Sequence, residues 1–430
     1  MIKLIASDMD GTFLSNTHQI SEKNIEAVNY AKENGIEFVI ATGRAYYEAA
    51  KPLQEANLES ELICFNGGIT YDKEGNILDI VDLKPKDSYY IMEVFKSLGI
   101  SYQLYTQNCV YTENIETDIQ AFVDLIESHG VKADKEHIIA ESKERQAKGH
   151  LVEVENVDLY INEPNNPLIK IIGISNDLNK LAKATSLLEG NKELSVTSSG
   201  ENNVEVMHKN ATKGIALKKF ADKKNISLEA TMALGDNLND FSMLEVVKYS
   251  VAMANGNNKL KKIAEYITEH TNDNSGVGHA ILKIVKEVNN KENIEKELIN
   301  KAIEATKFSY VPYSKFTVGA AVLGSNGKIY SGCNVENASY SPTNCAERTA
   351  IFKAVSEGTR EFTKVAVVGG PERNLLDYCP PCGVCRQVIA EFASEDAELI
   401  LGNSEDNYKT YKFFDEILPL SFTKKDLDNK

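Results

Sequence analysis

Residues 2–12 read I-K-L-I-A-S-D-M-D-G-T, a short apolar run that breaks into two aspartates, a glycine and a threonine. Such a run, bounded by turn residues, predicts a buried parallel strand over 2–6 with polar groups at its C-terminal end. Helical spacing follows from about Ser21 to Asn34, with Ser21 placed as N-cap and Gly35 as the stop. A second apolar strand over 36–41 ends at Thr42-Gly43-Arg44, and a third over 62–65 ends at Asn66-Gly67-Gly68. This strand–helix–strand repetition predicts an α/β fold with a doubly wound parallel sheet. In such sheets, ligands bind where polar residues gather beyond the strand ends.

The pattern loosens between residues 84 and 198, where helical spacing around 87–98 mixes with short strands at 101–105 and 168–174. Core-like signals return at Val204-Glu205-Val206. A helix then opens at Lys213-Gly214, and a strand over 231–234 runs into Gly235-Asp236-Asn237. The middle segment is therefore expected as an insertion, giving a core of 1–83 and 199–288 with a cap of 84–198. Residues 289–297 read N-N-K-E-N-I-E-K-E and suit a linker or a helix start, leaving 298–430 as a further domain. In that domain, helices are expected at 298–308, 347–355 and 385–392, and strands at 316–323 and 365–368.

At 430 residues the chain exceeds one ordinary core. Its net charge of −16 disfavours a nucleic-acid backbone as partner. The N-terminus M-I-K-L-I-A-S does not read as a signal peptide, and no apolar stretch is long enough to span a bilayer. Four of the 7 cysteines crowd between Cys345 and Cys385, which points to metal binding rather than a disulfide framework. The expected compartment is cytoplasmic, with no membrane partner.

Two constellations carry chemistry. Asp8 and Asp10 point to one side of an extended chain, so that one carboxylate can attack phosphorus while the other protonates the leaving group and then activates water. Together with a phosphate they need a cation, and Mg²⁺ suits oxygen ligands. Asp236 adds a carboxylate at another strand end, and Thr42 and Lys213 are placed to hold phosphate oxygens. In the last third of the chain, Asn344–Arg348 reads N-C-A-E-R and Pro381–Arg386 reads P-C-G-V-C-R. Cys345, Cys382 and Cys385 are the expected Zn²⁺ ligands, with Glu347 beside them as a non-ligating proton shuttle. Three thiolates carry excess negative charge, which Arg348 would offset, as would helix N-termini at Glu347 and Cys382. Cys379 makes a competing C-x-x-C with Cys382.

The motifs D-x-D-G-T, A-T-G-R, K-G and G-D-N-L-N-D, in this order with a middle insertion, resemble the haloacid dehalogenase superfamily, specifically the Cof-type phosphatases with a type IIB α/β cap. The resemblance covers about residues 1–285. It implies a Rossmann-like core with Asp8 as nucleophile and Asp10 as general acid/base. Magnesium would sit on the Asp8 carboxylate, the Asp10 backbone carbonyl and Asp236. Thr42, Gly43, Lys213 and Asn239 would bind phosphate, with Asp240 behind them. It also implies small phosphorylated metabolites as substrates: sugar phosphates, which need only a small polar pocket, are favoured over CMP or dCMP, which need a cap large enough to admit a nucleotide.

Residues 295–427 resemble the homotetrameric, three-cysteine cytidine deaminases. The matching stretches are P-Y-S-K-F-T-V-G-A-A at Pro312, G-C-N-V-E-N-A-S-Y at Gly332, N-C-A-E-R, P-C-G-V-C-R-Q and L-P-L-S-F at Leu418. This implies a three-layer α/β/α domain that deaminates cytidine and 2′-deoxycytidine. Asn334 and Glu336 would hold the ribose hydroxyls, Phe316 would pack near the base, and Phe422 would stack in a neighbouring subunit's site. The P-C-G-x-C frame selects Cys382 and Cys385 over Cys379. A second reading leaves the front part as a sensing or scaffolding module on a deaminase.

Overall fold

The strand Leu4–Ser7, buried along its whole length, lies inside an eight-stranded sheet. In the computed structural model, which describes residues 1–128, 133–161, 163, 165–198 and 202–423, the chain forms two units, Met1–Val285 and Lys286–Lys430. The sheet of the first unit runs Tyr266–Ile267, Tyr249–Ala252, Thr231–Gly235, Leu4–Ser7, Glu37–Ala41, Glu61–Cys64, Ile69–Tyr71, Ile77–Ile80. The first six strands are parallel and the last two antiparallel. After Leu4–Ser7 the chain winds one way through Glu37–Ala41. It later returns on the other side through Thr231–Gly235, so the switch point of the topology lies at the end of the first strand. Leu4, Ala6, Val39, Ala233, Leu217 and Phe220 pack one core against this sheet. The first helix is Glu22–Glu33, and the Ser21 hydroxyl accepts from the Asn24 N–H at 3.2 Å. An N-cap bond of this kind is worth about 1 kcal/mol.

The inserted part builds a six-stranded sheet in the order Leu194–Thr197, Asn203–His208, Leu168–Ile174, Ser101–Thr106, Val110–Thr112, Leu151–Glu153. This corrects one expectation. Val204-Glu205-Val206 does not mark the return to the core, because Asn203–His208 pairs antiparallel with Leu168–Ile174. Val204 and Val206 are buried in the cap's own apolar cluster beside Phe95, Leu104 and Ile171. Alternating burial serves a cap strand as well as a core strand, and the chain regains the core at the helix Lys213–Lys223.

The second unit has a five-stranded sheet, Ile329–Cys333, Phe316–Gly324, Phe362–Pro371, Ala393–Ser404, Asn407–Lys412. Leu298, Ile299 and Ala302 cover one face through Ala321, Ala366 and Ile400. Ala346–Ser356 and Gly383–Phe392 cover the other, making the expected three layers. Residues 289–297 are no open linker; they are helical, within Gly276–Thr306. Their charges are partnered at helical spacing and across to the sheet. Glu292 pairs with Lys296 at 3.4 Å, and Glu295 is buried against Lys364 at 2.9 Å. Among the described residues, no helix is long and apolar enough to cross a membrane.

Candidate active sites

Asp8 leaves the end of Leu4–Ser7 in extended conformation, and the chain then turns tightly over Met9–Phe13. The turn needs Gly11. Its φ is +73°, and a Cβ there would lie 2.6 Å from Asp236 Oδ2. Asp236 follows the neighbouring strand Thr231–Gly235, and its Oδ1 accepts from Thr12 Oγ1 at 2.8 Å. Lys213 opens its helix beside both strand ends. Its fully buried ammonium donates to Asp8 Oδ1 at 2.5 Å and Asp240 Oδ1 at 2.6 Å. The other oxygen of Asp240 accepts from the N–H groups of Asp236 and Asn237 at 2.9 and 3.0 Å.

Asp8, Asp236 and Asp240 each place an oxygen within 4.8 Å of the others. Burial and the charge of Asp240 hold the Asp8 carboxyl well above its ordinary range, and Lys213 only partly offsets them. Burial also raises Asp236. For Lys213, burial opposes the ammonium, but Asp240 and Asp8 outweigh it and raise its pKa. One cation thus faces three carboxylates. Asp240 is spent on Lys213 and two backbone N–H groups, which leaves Asp8 and Asp236 as oxygen donors for a divalent ion.

The remaining expected residues gather at the same sheet edge. Thr42 is buried, and its Oγ1 accepts from the Arg44 N–H at 3.2 Å. Gly43 lies close to Asn66, whose Oδ1 accepts from Asn239 Nδ2 at 3.1 Å. Asp10 is held by Arg44, which grips it with two bonds, Nε–Oδ2 at 2.8 Å and Nη2–Oδ1 at 2.5 Å. Asp8, Asp10, Gly43, Asp236 and Asn239 line one cavity of about 940 Å³. Sequence reasoning missed Arg44 and Asn66. Arg44 stood inside the quoted A-T-G-R, and Asn66 ended the third strand in a left-handed conformation, φ +52°.

In the second unit, Cys345 is the N-cap residue of Ala346–Ser356 and Cys382 that of Gly383–Phe392, with Cys385 in the latter's first turn. Three thiols therefore meet at two positive helix ends. The Cys345 and Cys382 sulfurs are 3.9 Å apart, and all three lie within 4.8 Å of one another. Cys379 is not among them; it is a buried thiol that burial pushes up to about 11. The hydrogen bond from Cys385, helped by Arg348, lowers Cys345 to about 5, and that same bond with burial raises Cys385. Arg348 Nη2 donates to Cys345 Sγ at 3.5 Å and to the Thr343 carbonyl at 3.2 Å. Glu347 is buried, and its Oε2 has no hydrogen-bond partner among the described residues. Burial, then the Cys345 charge, raises its carboxyl.

Asn334 and Glu336 carry structural bonds of their own. The Asn334 amide bridges the Val318 N–H and the Phe316 carbonyl, both at 2.9 Å. Glu336 Oε2 accepts from the N–H groups of Tyr313 and Ser314 at 3.0 and 3.2 Å. Phe316 is half-buried at the start of its strand. Phe422 is 61% exposed; its backbone carbonyl accepts from Gln387 Nε2 at 2.9 Å.

Comparison with known proteins follows this division. Residues 5–281 match the haloacid dehalogenase-like hydrolase family, and residues 292–401 match the cytidine and deoxycytidylate deaminase zinc-binding region. The phosphatase YwpJ of Bacillus subtilis is 34% identical over 281 residues, 65% of this chain and 98% of that protein. A cytidine deaminase of Halalkalibacterium halodurans is 48% identical over 132 residues, 31% of this chain and 96% of that protein. A solved haloacid dehalogenase-like hydrolase from B. subtilis superposes with a TM-score of 0.58 at 32% identity, covering 65% of this chain and 99% of its own. The donor sets fit the metals of these families: three soft thiols for zinc, and hard carboxylate oxygens at an anionic strand edge for magnesium.

Proposed function

Because the chain belongs to the haloacid dehalogenase-like hydrolases over residues 5–281 and to the cytidine deaminases over residues 292–401, we propose that it is a bifunctional enzyme. The first unit hydrolyses a phosphomonoester through an aspartyl-phosphate, and the second converts cytidine and 2′-deoxycytidine to the uridines. The observation that carries the deaminase is the buried, unpartnered Glu347 oxygen beside three gathered thiols. For the phosphatase it is Asp8, placed at the switch point and gripped by Lys213.

Cys345, Cys382 and Cys385 would hold zinc, which would supply an acidified water as nucleophile. Glu347 carries protons to the ring nitrogen and to the departing ammonia, and burial raises its carboxyl in the direction a proton carrier needs. Arg348 offsets thiolate charge. Asn334 and Glu336 hold the ribose, Glu336 through its second oxygen. Phe316 packs near the base, and the exposed Phe422 closes the site of a neighbouring copy. We assign a homotetramer built through the C-terminal unit on this account.

At the other site, Asp8, the Asp10 carbonyl and Asp236 would hold magnesium, which would neutralise charge for the incoming phosphate. Asp8 attacks phosphorus, and Thr42, Gly43, Lys213 and Asn239 hold the phosphoryl oxygens. Asp10 must leave the Arg44 clamp to protonate the leaving oxygen and then take a proton from water. We place the enzyme in the cytoplasm, acting on small molecules rather than nucleic acid, in keeping with its net charge of −16.

Two variants test the reading. Glu347→Gln should keep one zinc per chain and lose cytidine turnover by at least 10²-fold, the scale of general acid–base catalysis, about 10²–10⁴. Asp8→Asn should abolish Mg²⁺-dependent phosphate release and leave deamination intact. Near-normal turnover in Glu347→Gln, or phosphate release surviving in Asp8→Asn, would sink the respective half.

A further inference from the structure

The stretch that carries Phe422 has little of its own to hold it. Phe413 and Ile417 are buried in the apolar core of the second unit, Leu418 packs against that core, and the Leu418 N–H returns to the Phe413 carbonyl at 2.9 Å. Apolar anchoring ends there. Pro419, Leu420 and Phe422 are exposed. Leu420 also has a φ of +56°, a left-handed conformation that a residue with a Cβ rarely adopts. A segment with so little buried side chain depends on hydrogen bonds for its shape.

Two of those bonds come from the helix Gly383–Phe392, whose first turn also carries Cys385. Arg386 Nη1 donates to the Ile417 carbonyl at 2.9 Å, and its Nε donates to the Pro381 carbonyl at 3.0 Å, one residue before Cys382. The planar guanidinium thus ties the thiol loop to the point where the C-terminal stretch leaves the core. The neighbouring Gln387 donates through Nε2 to the carbonyl of Phe422 itself, at 2.9 Å. The helix is a firm base for both, because Ile389 and Ala390 are buried in the same core.

Resting on the deaminase reading above, in which Phe422 closes the site of a neighbouring copy, we propose that Arg386 and Gln387 are positioning residues for that ring. Arg386 fixes where the segment departs, and Gln387 fixes the backbone that bears the ring. The turn that supplies thiols to one site therefore also sets the aromatic wall of the next. A ring held in place before the nucleoside arrives spares the complex the cost of ordering it. Loss of the tether should then weaken nucleoside binding and leave the chemical step alone, so the effect falls on KM and not on kcat.

The test uses the full-length, zinc-loaded protein with cytidine. Gln387→Glu keeps the size of the side chain and removes the donor. Gln387→Lys keeps a donor. Gln387→Glu should raise KM by about three- to ten-fold, the scale of one hydrogen bond, with kcat, zinc content and the assembly measured by light scattering unchanged. Amide hydrogen exchange over 418–422 should quicken in the same variant and also in Arg386→Lys, which loses the planar fork. Gln387→Lys should stay near the wild-type KM. Because Gln387 acts through Phe422, Gln387→Glu added to Phe422→Ala should raise KM no further than Phe422→Ala alone. An unchanged KM in Gln387→Glu, or effects of the two substitutions that multiply, would overturn the assignment. Should Phe422→Ala itself leave KM unchanged, the reading of Phe422 as part of a neighbouring site falls and takes this assignment with it. A raised KM in Phe422→Ala beside a normal one in Gln387→Glu would bring down the positioning role alone.

Discussion

Replacing Lys213 with methionine should destabilise the first unit far more than it disturbs its shape. The Lys213 side chain is 0% exposed, and its two carboxylate partners are 7% and 0% exposed. Methionine keeps an unbranched apolar stem and removes the one ammonium between Asp8 and Asp240. Breaking a buried ion pair from one side costs about 3–5 kcal/mol, because the remaining charges stay buried. At roughly 2 °C per kcal/mol for a unit of this size, the melting transition should fall by roughly 6–10 °C. Scanning calorimetry at neutral pH, with a chelator present, measures this. The transition of the second unit should stay in place as an internal reference.

The pH dependence gives the sign. The Asp8 carboxyl is raised in the folded protein by burial and by Asp240. Its contribution is therefore complete below the ordinary aspartate pKa of about 3.9 and is lost as pH rises through the folded value. Without Lys213 the folded value climbs further. The gap between wild type and variant should thus be narrow near pH 4 and widen toward neutrality. Adding Asp240→Asn to Lys213→Met should recover part of the loss. A variant melting within 2 °C of wild type at neutral pH, or a gap that widens on acidification, would refute the charge argument.

Gly11→Ala should lose phosphatase activity and about 1–3 kcal/mol of stability, since a Cβ would press on Asp236 at 2.6 Å from a positive-φ position; unchanged phosphate release would show that the turn can relax. Cys382→Ala should lose zinc and cytidine turnover together, as metal analysis and absorbance assays would report. Light scattering should find a tetramer, and Phe422→Ala should raise the KM for cytidine without dissociating it. A fully active monomer would overturn that assembly.

Local chemistry made much of this molecule legible. The Ser21 cap, the Asp8 strand edge and the three grouped thiols are each set by residues within a few positions of one another. What escaped depends on partners distant in sequence. Val204 and Val206 alternate as either a core or a cap strand would, and only pairing with Leu168–Ile174 decides. Residues 289–297 look solvated because they are charged, yet Glu295 is buried on Lys364, which no reading of nine residues can reveal. The wall of the cavity above Asp8 is the extreme case. Arg145 and Asp118 come from different helices of the cap, Phe65 from the core, and no motif links them.

The cysteine framework bears on the order of events in the life of the chain. Two of its thiols sit at the first residue before helices whose buried faces, through Ala350, Ile351, Ala354 and Ile389, are anchored in the apolar core of the second unit. The forces that bring the sulfurs together are those that fold the sheet, unlike small zinc domains in which binding energy is folding energy. Folding and metallation are then separable in time. A newly made chain can complete its core first and acquire its ion later, so zinc scarcity would leave a pool of folded, idle enzyme awaiting the metal rather than material for proteolysis.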